Sequence, residues 1–422
     1  MLTPADPLLF YGGAAMCAAA AGQATLGGIA AWRGRQRRRR DSDRDADAFR
    51  AEVQAAAEAA RARLARQLAW DGRRTLRVAA AVDESPDTRS FYLTDPDGRA
   101  LPSYLPGQHL TLALPAGPGG AEVVRCYSLS DRPRPEYYRI TVKRQGPPDG
   151  EGGDTPPGVA SHWLHRHART GATLRCEAPR GAFFYHPAQP RPAVFVGAGV
   201  GVTPLMAMLA AIDHSGAPVP TQAVFGFRDG AAHLFADPLR EMPERNAAIR
   251  THVVYSRPRE QDRLGVDYHS TGRVTIETLR RVLPSSNFEF FVCGPPRMMQ
   301  SLVPELIDWG VPLEAIHYEA FGPASVSPPA ALDAAERAVG SAVSFEGAEP
   351  LVWDGAHASL LELAEAAGVP LASGCRAGNC GSCRVRVLQG KVAELKRPGV
   401  VTPAGECLAC ISLPDGPVVL EA

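Results

Sequence analysis

The pattern of apolar and polar positions divides the chain into blocks with different predicted elements. From Thr75 to Pro115, short alternating runs (LRVAAAV, RSFYLTD and HLTLALP) are separated by turn signals that contain Gly, Pro and Asp. Such runs predict an antiparallel β-barrel or sandwich. From Arg191 onward, apolar runs such as PAVFVGAG, QAVFGF and FEFFVCG alternate with helical stretches such as PLMAMLAAI. That alternation predicts an α/β domain built on a parallel sheet.

A compact block closes the chain. A Pro/Ala/Ser-rich stretch from Gly322 to Ala335 interrupts the α/β pattern, as a linker would. After it, VSFEGAEPLVWD and SLLELAEAAG predict a strand and an amphipathic helix, and the chain ends in a short apolar run, VVLEA. The predicted fold class is therefore multidomain, with an antiparallel β-barrel, an α/β parallel-sheet domain and a terminal α+β domain.

The amino-terminal segment predicts a membrane helix. No residue between Asp6 and Arg33 is charged, and the apolar run from Leu8 to Trp32 is long enough to span a hydrocarbon core, which needs roughly 20 residues of helix. The arginine-rich RGRQRRRR that follows favours a single-pass cell-membrane protein with its domains on the cytoplasmic side. These arginines are also expected to contact anionic lipid head groups. A buried or disordered extension is one alternative. A signal peptide is another, although its positive charges would precede the run.

The composition of the segment before the barrel predicts the remaining domain boundaries. Residues 46–70 are rich in Ala, Arg and Glu without Gly or Pro, which predicts a helical stalk. The predicted segments are an anchor (1–33), a basic segment and stalk (34–70), the barrel (71–189), the α/β domain (190–322), a linker (323–338) and the terminal domain (339–422). The 45 Lys and Arg residues balance the 45 Asp and Glu residues, which argues against nucleic acid as a partner of the whole chain.

Five of the nine cysteines fall near the carboxyl terminus, which indicates a metal site rather than disulfides. Cys375, Cys380 and Cys383 form a C-x4-C-x2-C run, and Cys410 follows in GECLAC. This is the plant-type [2Fe–2S] spacing, in which thiolates hold two irons. A zinc ribbon is the alternative, but zinc favours paired C-x2-C knuckles. Cys407 is expected to be a buried packing residue.

A glycine-rich turn indicates a phosphate site in the α/β domain. In VGAGVGVTP, Gly197, Gly199 and Gly201 join a strand to a helix, so backbone can approach a pyrophosphate at the helix amino terminus. Alone, such a turn is often merely a tight connection between a strand and a helix. The second element, FFVCGPPRMM, ends a later strand, where ligands bind in open α/β sheets. The two elements together predict a dinucleotide site.

These motifs carry a family resemblance. GAGVGVTP and CGPPRM resemble the nicotinamide-binding signatures of the ferredoxin-NADP reductase superfamily, and RCYSLS resembles its flavin-binding R-x-Y-S signature. With a carboxyl-terminal ferredoxin domain of the β-grasp type, the chain from about residue 70 resembles an iron–sulfur flavoprotein reductase that serves oxygenases and related enzymes. The resemblance implies hydride transfer from NADPH or NADH to FAD, with FMN as the alternative, and single-electron transfer to the cluster.

The resemblance also implies a flavin site. Arg125 would meet the flavin phosphate, Tyr127 would pack on the ring system, and Ser128 would hydrogen-bond near the reactive flavin nitrogen. The other implied contacts are the backbone of Val142 and Lys143 at the isoalloxazine, and Gly158 and Ser161, a G-x-x-S pattern that opens a helix on the pyrophosphate and favours FAD. The histidines of that helix, His162, His165 and His167, are expected to face solvent rather than to bind metal.

At the nicotinamide, the resemblance implies positioning roles rather than nucleophilic catalysis. The residues expected there are Thr203, Pro204, Cys293, Gly294 and Pro295. Glu319 and Phe321, in HYEAFGP, match residues that border the flavin in related reductases. A surface carboxylate is the alternative for Glu319. The residues expected to influence catalysis through position and polarity are Ser128, Cys293 and Glu319.

Coenzyme choice is predicted from the end of another strand. Ser256 and Arg257, in VVYSRP, supply a hydroxyl and a guanidinium that suit a 2′-phosphate, although the same pair could cap a surface turn. The expected electron acceptor is a separate protein, a metal-dependent oxygenase, hydroxylase or desaturase, and membrane lipid is the other expected partner. The alternative function is a redox-sensing or scaffolding iron–sulfur protein with a vestigial nucleotide site.

Overall fold

The computed structural model describes residues 70, 72–146, 158–186, 191–319, 321, 336–374, 376, 378, 381–395, 398, 400 and 402–421. The predicted anchor and nearly all of the predicted basic segment and stalk lie outside these residues. Within the described ranges, no helix is both long enough and apolar enough to cross a membrane. The chain from Leu68 to Ala422 forms one compact unit.

The first described domain is an antiparallel barrel. Its strands are β1 (Arg73–Ser85), β2 (Thr88–Thr94), β3 (His109–Leu114), β4 (Val123–Ser128), β5 (Tyr138–Lys143) and β6 (Thr173–Glu177). Their order is β4-β3-β6-β1-β2-β5, and a bridge between Leu129 and Ile140 joins the two outer strands. The sheet therefore closes on itself, as the alternating pattern predicts. Helix α1 (Val159–His167) adds Ala160 and Leu164 to the apolar interior.

The second domain is a parallel sheet with helices on both faces. Its strands are β7 (Ala193–Ala198), β8 (Thr221–Phe227), β9 (Ile249–Tyr255), β10 (Ser270–Thr271), β11 (Glu289–Cys293) and β12 (Ile316–Glu319). Its helices are α2 (Val202–Ser215), α3 (Ala236–Arg245), α4 (Ile276–Val282) and α5 (Pro296–Asp308). Phe195 lies in one apolar core and Val196 in the other, on opposite faces. Burial of both faces explains why these strands are apolar throughout.

The strand order creates a crevice at the carboxyl edge of this sheet. The order is β10-β9-β8-β7-β11-β12, so the chain moves outward from β7 in one direction and later returns to its other side at β11. Ligands of open α/β sheets bind where the order reverses in this way. The glycine-rich turn after β7 and the Cys-Gly-Pro segment after β11 both lie at that point, which confirms the predicted juxtaposition.

The carboxyl-terminal domain is a small mixed α+β fold. Its main sheet has the order β14-β13-β19-β15-β17, formed by β13 (Ala342–Phe345), β14 (Leu351–Val352), β15 (Arg384–Gln389), β17 (Glu406–Leu408) and β19 (Val418–Leu420). A second pair comprises β16 (Val392–Glu394) and β18 (Ser412–Pro414). Helix α6 (Leu360–Ala366) begins at the Ser359 cap, whose side chain accepts the Glu362 N–H. The predicted strand and amphipathic helix are confirmed.

Candidate active site and electron-transfer centre

The glycine-rich turn has two kinds of glycine. A Cβ atom on Gly201 would lie 2.4 Å from the carbonyl oxygen of Cys293, and one on Gly197 would lie 2.8 Å from Leu205 Cδ1. Gly199 has a φ of +54°, and a Cβ there would meet nothing within 4 Å. The fold itself therefore requires Gly201, because the backbone of strand β11 passes beside it, whereas at Gly197 the nearest atom belongs to the Leu205 side chain of helix α2. Gly199 is the glycine whose backbone faces open space.

That open space is a cavity of about 990 Å³ between the barrel and the carboxyl edge of the parallel sheet. Gly199, Ser256 and Pro295 line it from the second domain, and Asp87 and Lys143 line it from the first. Its cationic lining residues are Lys143, Arg144, Arg228, Arg273 and Arg297. The carboxylate of Asp87 lies 3.3 Å from Lys143 Nζ. A cavity with this balance of charge suits a polyphosphate ligand such as a dinucleotide.

Cys293 and Glu319 lie side by side at the sheet edge. Cys293 pairs with Gly197 on one side and with Glu319 on the other. Both residues are buried, and Glu319 is only 7% exposed. The alternative of a surface carboxylate at Glu319 is therefore wrong. Phe321, by contrast, is 42% exposed.

The start of helix α2 is held by a side-chain hydrogen bond. Thr203 Oγ1 donates to the carbonyl of Val200 at 2.8 Å, and both Thr203 and Pro204 are buried. Thr203 thus shapes the turn rather than projecting from it. At the end of β11, a Cβ on Gly294 would lie 2.4 Å from Met298 Cε, so this glycine permits close packing of the α5 start.

The structure separates the two residues expected at a 2′-phosphate. Ser256 lines the cavity, whereas Arg257 is exposed and is not among the described cavity-lining residues. The Arg257 N–H donates to the carbonyl of Arg228 at 2.7 Å. Sequence reasoning missed Arg273, which does line the cavity. In the sequence, the only local feature that could have indicated Arg273 is its position after Gly272, directly beyond the two-residue strand β10.

Strand β4 carries the residues expected at the flavin. Ser128 is buried and pairs with His109, and burial raises the pKa of Tyr127 well above its ordinary range. Arg125 Nη1 donates to the carbonyl of Val124 at 2.7 Å and to that of Gly374 at 3.1 Å. Gly374 immediately precedes Cys375 in the sequence. The predicted flavin strand therefore contacts the start of the cysteine loop.

Helix α1 is tied to the loop that follows β5. Ser161 Oγ donates to the carbonyl of Gly158 and accepts the Gln145 N–H, both at 3.0 Å. The solvent-facing interpretation of the histidines holds for His167 but is wrong for His162, which is buried. His162 Nε2 lies 2.9 Å from the Gln145 carbonyl. His165 also differs from the prediction, because it is half-buried. Its Nε2 lies 2.9 Å from the carbonyl of Val142, and Val142 is one of the predicted flavin contacts.

The described cysteines of the terminal domain fit an iron–sulfur cluster. Cys383 and Cys410 are 3% and 1% exposed and belong to the same apolar core. The Gly378 N–H donates to Cys410 Sγ at 3.2 Å, the kind of backbone donor that stabilises cluster sulfurs. Cys375 and Cys380 lie outside the described residues. Cys407 is buried as expected, and burial raises its pKa to about 11.

Three described residues of the cysteine loop adopt left-handed backbone: Arg376, Gly378 and Gly381. Gly378 has a φ of +71°, and a Cβ there would lie 2.6 Å from Ile411 Cδ1. Arg376 has a φ of +56°, which is uncommon for a residue with a side chain. Its guanidinium makes a two-fold contact with the Glu365 carboxylate on α6. That ion pair attaches the loop to the helix.

Comparisons with known proteins agree with this geometry. Residues 75–185 match the Oxidoreductase FAD-binding domain family, and residues 195–303 match the Oxidoreductase NAD-binding domain family. Residues 352–415 match the 2Fe-2S iron-sulfur cluster binding domain family. The three matches follow the order of the barrel, the parallel-sheet domain and the terminal domain.

Individual relatives cover different parts of the chain. The flavohemoprotein of Chromobacterium violaceum is 38% identical over 253 residues, 60% of this chain and 61% of that protein. This chain thus spans about three fifths of the curated relatives it matches. The flavohem-like FAD/NAD binding domain of nitric oxide dioxygenase from Vibrio cholerae is 32% identical, with a TM-score of 0.52 over 59% of this chain and 99% of that one.

A third similar structure extends over the terminal domain. Phthalate dioxygenase reductase is 23% identical, with a TM-score of 0.50 over 83% of this chain and 98% of that one. At this identity the likeness concerns the fold, and it includes all three described domains. From the three domain matches in this order, the chain belongs to the oxidoreductase FAD-binding, oxidoreductase NAD-binding and 2Fe-2S cluster binding domain families, as an NAD(P)H oxidoreductase that uses FAD and a [2Fe–2S] cluster.

Proposed function

We propose that the protein is a membrane-anchored reductase that passes electrons from NAD(P)H through FAD and the cluster to a separate protein. The observation that carries this proposal is the Arg125 to Gly374 hydrogen bond, 3.1 Å long, between the flavin strand and the residue before Cys375. Electron transfer between two centres requires that they lie close together. The contact supports an arrangement in which barrel and cluster domain form one electron path.

The chain's own residues supply position and polarity. When bound, FAD accepts both electrons of a nicotinamide hydride and releases them one at a time, as the cluster requires. The cationic cavity holds the coenzyme phosphates, and Gly199 lets backbone approach them. Buried Ser128, Cys293 and Glu319 keep water from the reacting rings. None of them needs to act as a nucleophile, because hydride transfer forms no bond to the protein.

The proposed acceptor is a metal-dependent oxygenase, hydroxylase or desaturase at the membrane. The apolar segment 8–32 and the arginine run after it would hold the reductase at the cytoplasmic face of the cell membrane. Confinement to the bilayer favours an acceptor that is itself membrane-bound. Copurification from mild detergent, followed by metal analysis of the associated proteins, identifies that acceptor.

Steady-state turnover tests the reductase function. The purified protein with FAD and cluster should reduce both ferricyanide and cytochrome c continuously with NADPH or NADH. A redox sensor with a vestigial nucleotide site would undergo at most one reduction per molecule. Lack of multiple turnovers with either coenzyme would therefore overturn the proposal.

Deletion of residues 1–40 tests the anchor separately. The shortened protein should move from the membrane fraction to the soluble fraction and keep its ferricyanide reductase activity, because no cofactor motif lies in that segment. If the full-length protein is already soluble without detergent, the membrane part of the proposal is wrong and the reductase part is unaffected.

A further inference from the structure

Arg273 occupies the coenzyme cavity at a position that the parallel sheet determines. Strand β10 pairs with β9 so that Thr271 lies opposite Tyr255. The next residues, Gly272 and Ser256, therefore leave the sheet together at its carboxyl edge, and Arg273 follows at once. Both Ser256 and Arg273 line the cavity.

The backbone on each side of Arg273 is fixed. The Gly272 N–H donates to the Tyr255 carbonyl at 2.9 Å, and Gly272 has a φ of +111°, which favours glycine. Val274, on the other side, is buried, and its Cγ2 would lie 3.0 Å from a Cβ on Gly226. Arg273 is thus presented to the cavity from a segment anchored at both ends.

The charges around Arg273 favour a phosphate over a ribose hydroxyl. A free 2′-hydroxyl is usually held by a carboxylate, and a 2′-phosphate by an arginine. Among the described residues, the carboxylate nearest in sequence to this edge of β8 is Asp229, which accepts the Ala232 N–H and lies 3.0 Å from Arg228 Nε. Asp262 similarly accepts the Gly230 and Arg259 N–H groups. Neither carboxylate lines the cavity.

The sheet also determines which end of the coenzyme meets Arg273. Pyrophosphate belongs at the turn after β7, and the nicotinamide belongs toward β11 and Cys293. Strand β9 lies two strands from β7 in the opposite direction, roughly 10 Å away at the usual strand spacing. The adenosine half, which carries the 2′-phosphate, therefore extends toward Ser256 and Arg273. Arg297 begins helix α5 after β11 and lies on the nicotinamide side.

We propose that Arg273, with the Ser256 hydroxyl beside it, binds the 2′-phosphate of NADPH and makes the protein prefer NADPH to NADH. The proposal rests on the NAD(P)H oxidoreductase function. It assigns the phosphate to Arg273 rather than to Arg257, which lies outside the cavity lining.

Calorimetric titration with 2′,5′-ADP and 5′-AMP tests this without turnover, because the two probes differ by the 2′-phosphate. The FAD-loaded full-length protein should bind 2′,5′-ADP at least about tenfold more tightly than 5′-AMP. Arg273→Ala should weaken 2′,5′-ADP by roughly tenfold and 5′-AMP far less. Arg273→Lys, which keeps the charge without the planar fork, should lie between.

Two further variants complete the test. Arg281→Ala removes an exposed arginine of helix α4 outside the cavity and should not change either affinity. Arg257→Ala should have a much smaller effect than Arg273→Ala. The proposal is overturned if Arg257→Ala causes the larger loss, if Arg273→Ala weakens both probes equally, or if the wild type does not distinguish them. If instead neither NADPH nor NADH reduces the wild-type flavin, the oxidoreductase function itself fails.

Discussion

The carboxyl edge of the parallel sheet and the cysteine loop of the terminal domain are shaped by different interactions. At the sheet edge, the backbone is shaped by contacts within the fold: Gly201 fits because Cys293 passes beside it, and Thr203 fixes the turn. In the cysteine loop, buried thiols and left-handed residues occur together, and the Gly378 N–H donates to Cys410 Sγ.

This difference indicates which of the two sites needs its ligand in order to keep its structure. The sheet edge has apolar cores on both faces of the sheet, so it should persist without coenzyme. The terminal domain has a single apolar core, and that core includes Cys383 and Cys410. Because metal binding contributes directly to folding in small domains, the cysteine loop should lose its order when the cluster is lost.

The largest expected effect comes from a ligand change in the cysteine loop. Cys410→Ser should abolish the [2Fe–2S] absorption and cytochrome c reduction, while flavin content and ferricyanide reduction with NAD(P)H persist in the other domains. Cys380→Ser should behave in the same way. Cys407→Ser is the matched control and should keep the cluster, because Cys407 is predicted not to be a ligand. A full cluster spectrum in Cys410→Ser would contradict the ligand assignment.

A glycine substitution tests the sheet edge. The Cβ of Gly201→Ala would meet the Cys293 backbone at 2.4 Å, so overpacking should destabilise the domain by about 3 kcal/mol. Hydrogen exchange of the β7 and β11 amides measures the change within this domain. Gly199→Asn, at a left-handed position with open space, should destabilise it much less. Equal losses in the two variants would show that steric fit to β11 is not what requires glycine.

A buried histidine, His233, makes the stability of the parallel-sheet domain depend on pH. Burial lowers the pKa of His233 to about 4, with Arg240 and His269 adding repulsion and Asp267 opposing them. The unfolded chain therefore binds the proton more readily, so stability is full above pH 6.5 and falls as pH drops toward 4. The loss should approach roughly 3 kcal/mol.

Hydrogen exchange of the β8 and β9 amides at pH 5 and pH 7.5 measures this effect. In His233→Phe, the acid-dependent part of the loss should disappear, even if overall stability changes because the Tyr255 hydroxyl loses its partner at 2.8 Å. An unchanged pH dependence in the variant would assign the effect to other groups.

The smallest expected effect concerns the ion pair that attaches the cysteine loop to α6. Both side chains are about one-third exposed, so solvent screens the pair, and Arg376→Ala should destabilise the domain by only about 1 kcal/mol. Faster loss of cluster absorption on warming measures the change, which should shrink at high salt. Arg337→Ala, in a more exposed pair with Asp415, is the control and should have no measurable effect.

The periodic patterns predicted the three described domains, and the short motifs, through the family resemblance that they carry, predicted the cofactors. The predicted membrane helix lies outside the described residues. Alternation in β1 to β3 predicted the barrel, and apolar runs such as β7 predicted a parallel sheet. Spacing alone indicated the cluster cysteines, because C-x4-C-x2-C is a local constraint on one loop. Likewise, Gly199 and Pro295 were assigned to the coenzyme site because Gly199 directly follows β7 and Pro295 lies two residues after β11.

Other features depend on residues that are distant in the sequence. The sequence left Glu319 undecided, and burial beside Cys293 follows only from the pairing of β11 with β12. His162 and His165 were expected in solvent because helix periodicity does not show which loop covers a helix. Their partners, Gln145 and Val142, come from a separate strand and the loop after it.

What the sequence determined by itself is the set of local chemistries: strand and helix periods, a glycine-rich turn, a cysteine run and an apolar amino-terminal segment. Tertiary structure alone decided that Arg273 lines the cavity and Arg257 does not, and which residue of strand β4 reaches the cysteine loop. The physical reason is that periodicity and spacing act over a few residues. Cavity lining and interdomain contacts depend on strand order and packing between segments as far apart as Arg125 and Gly374.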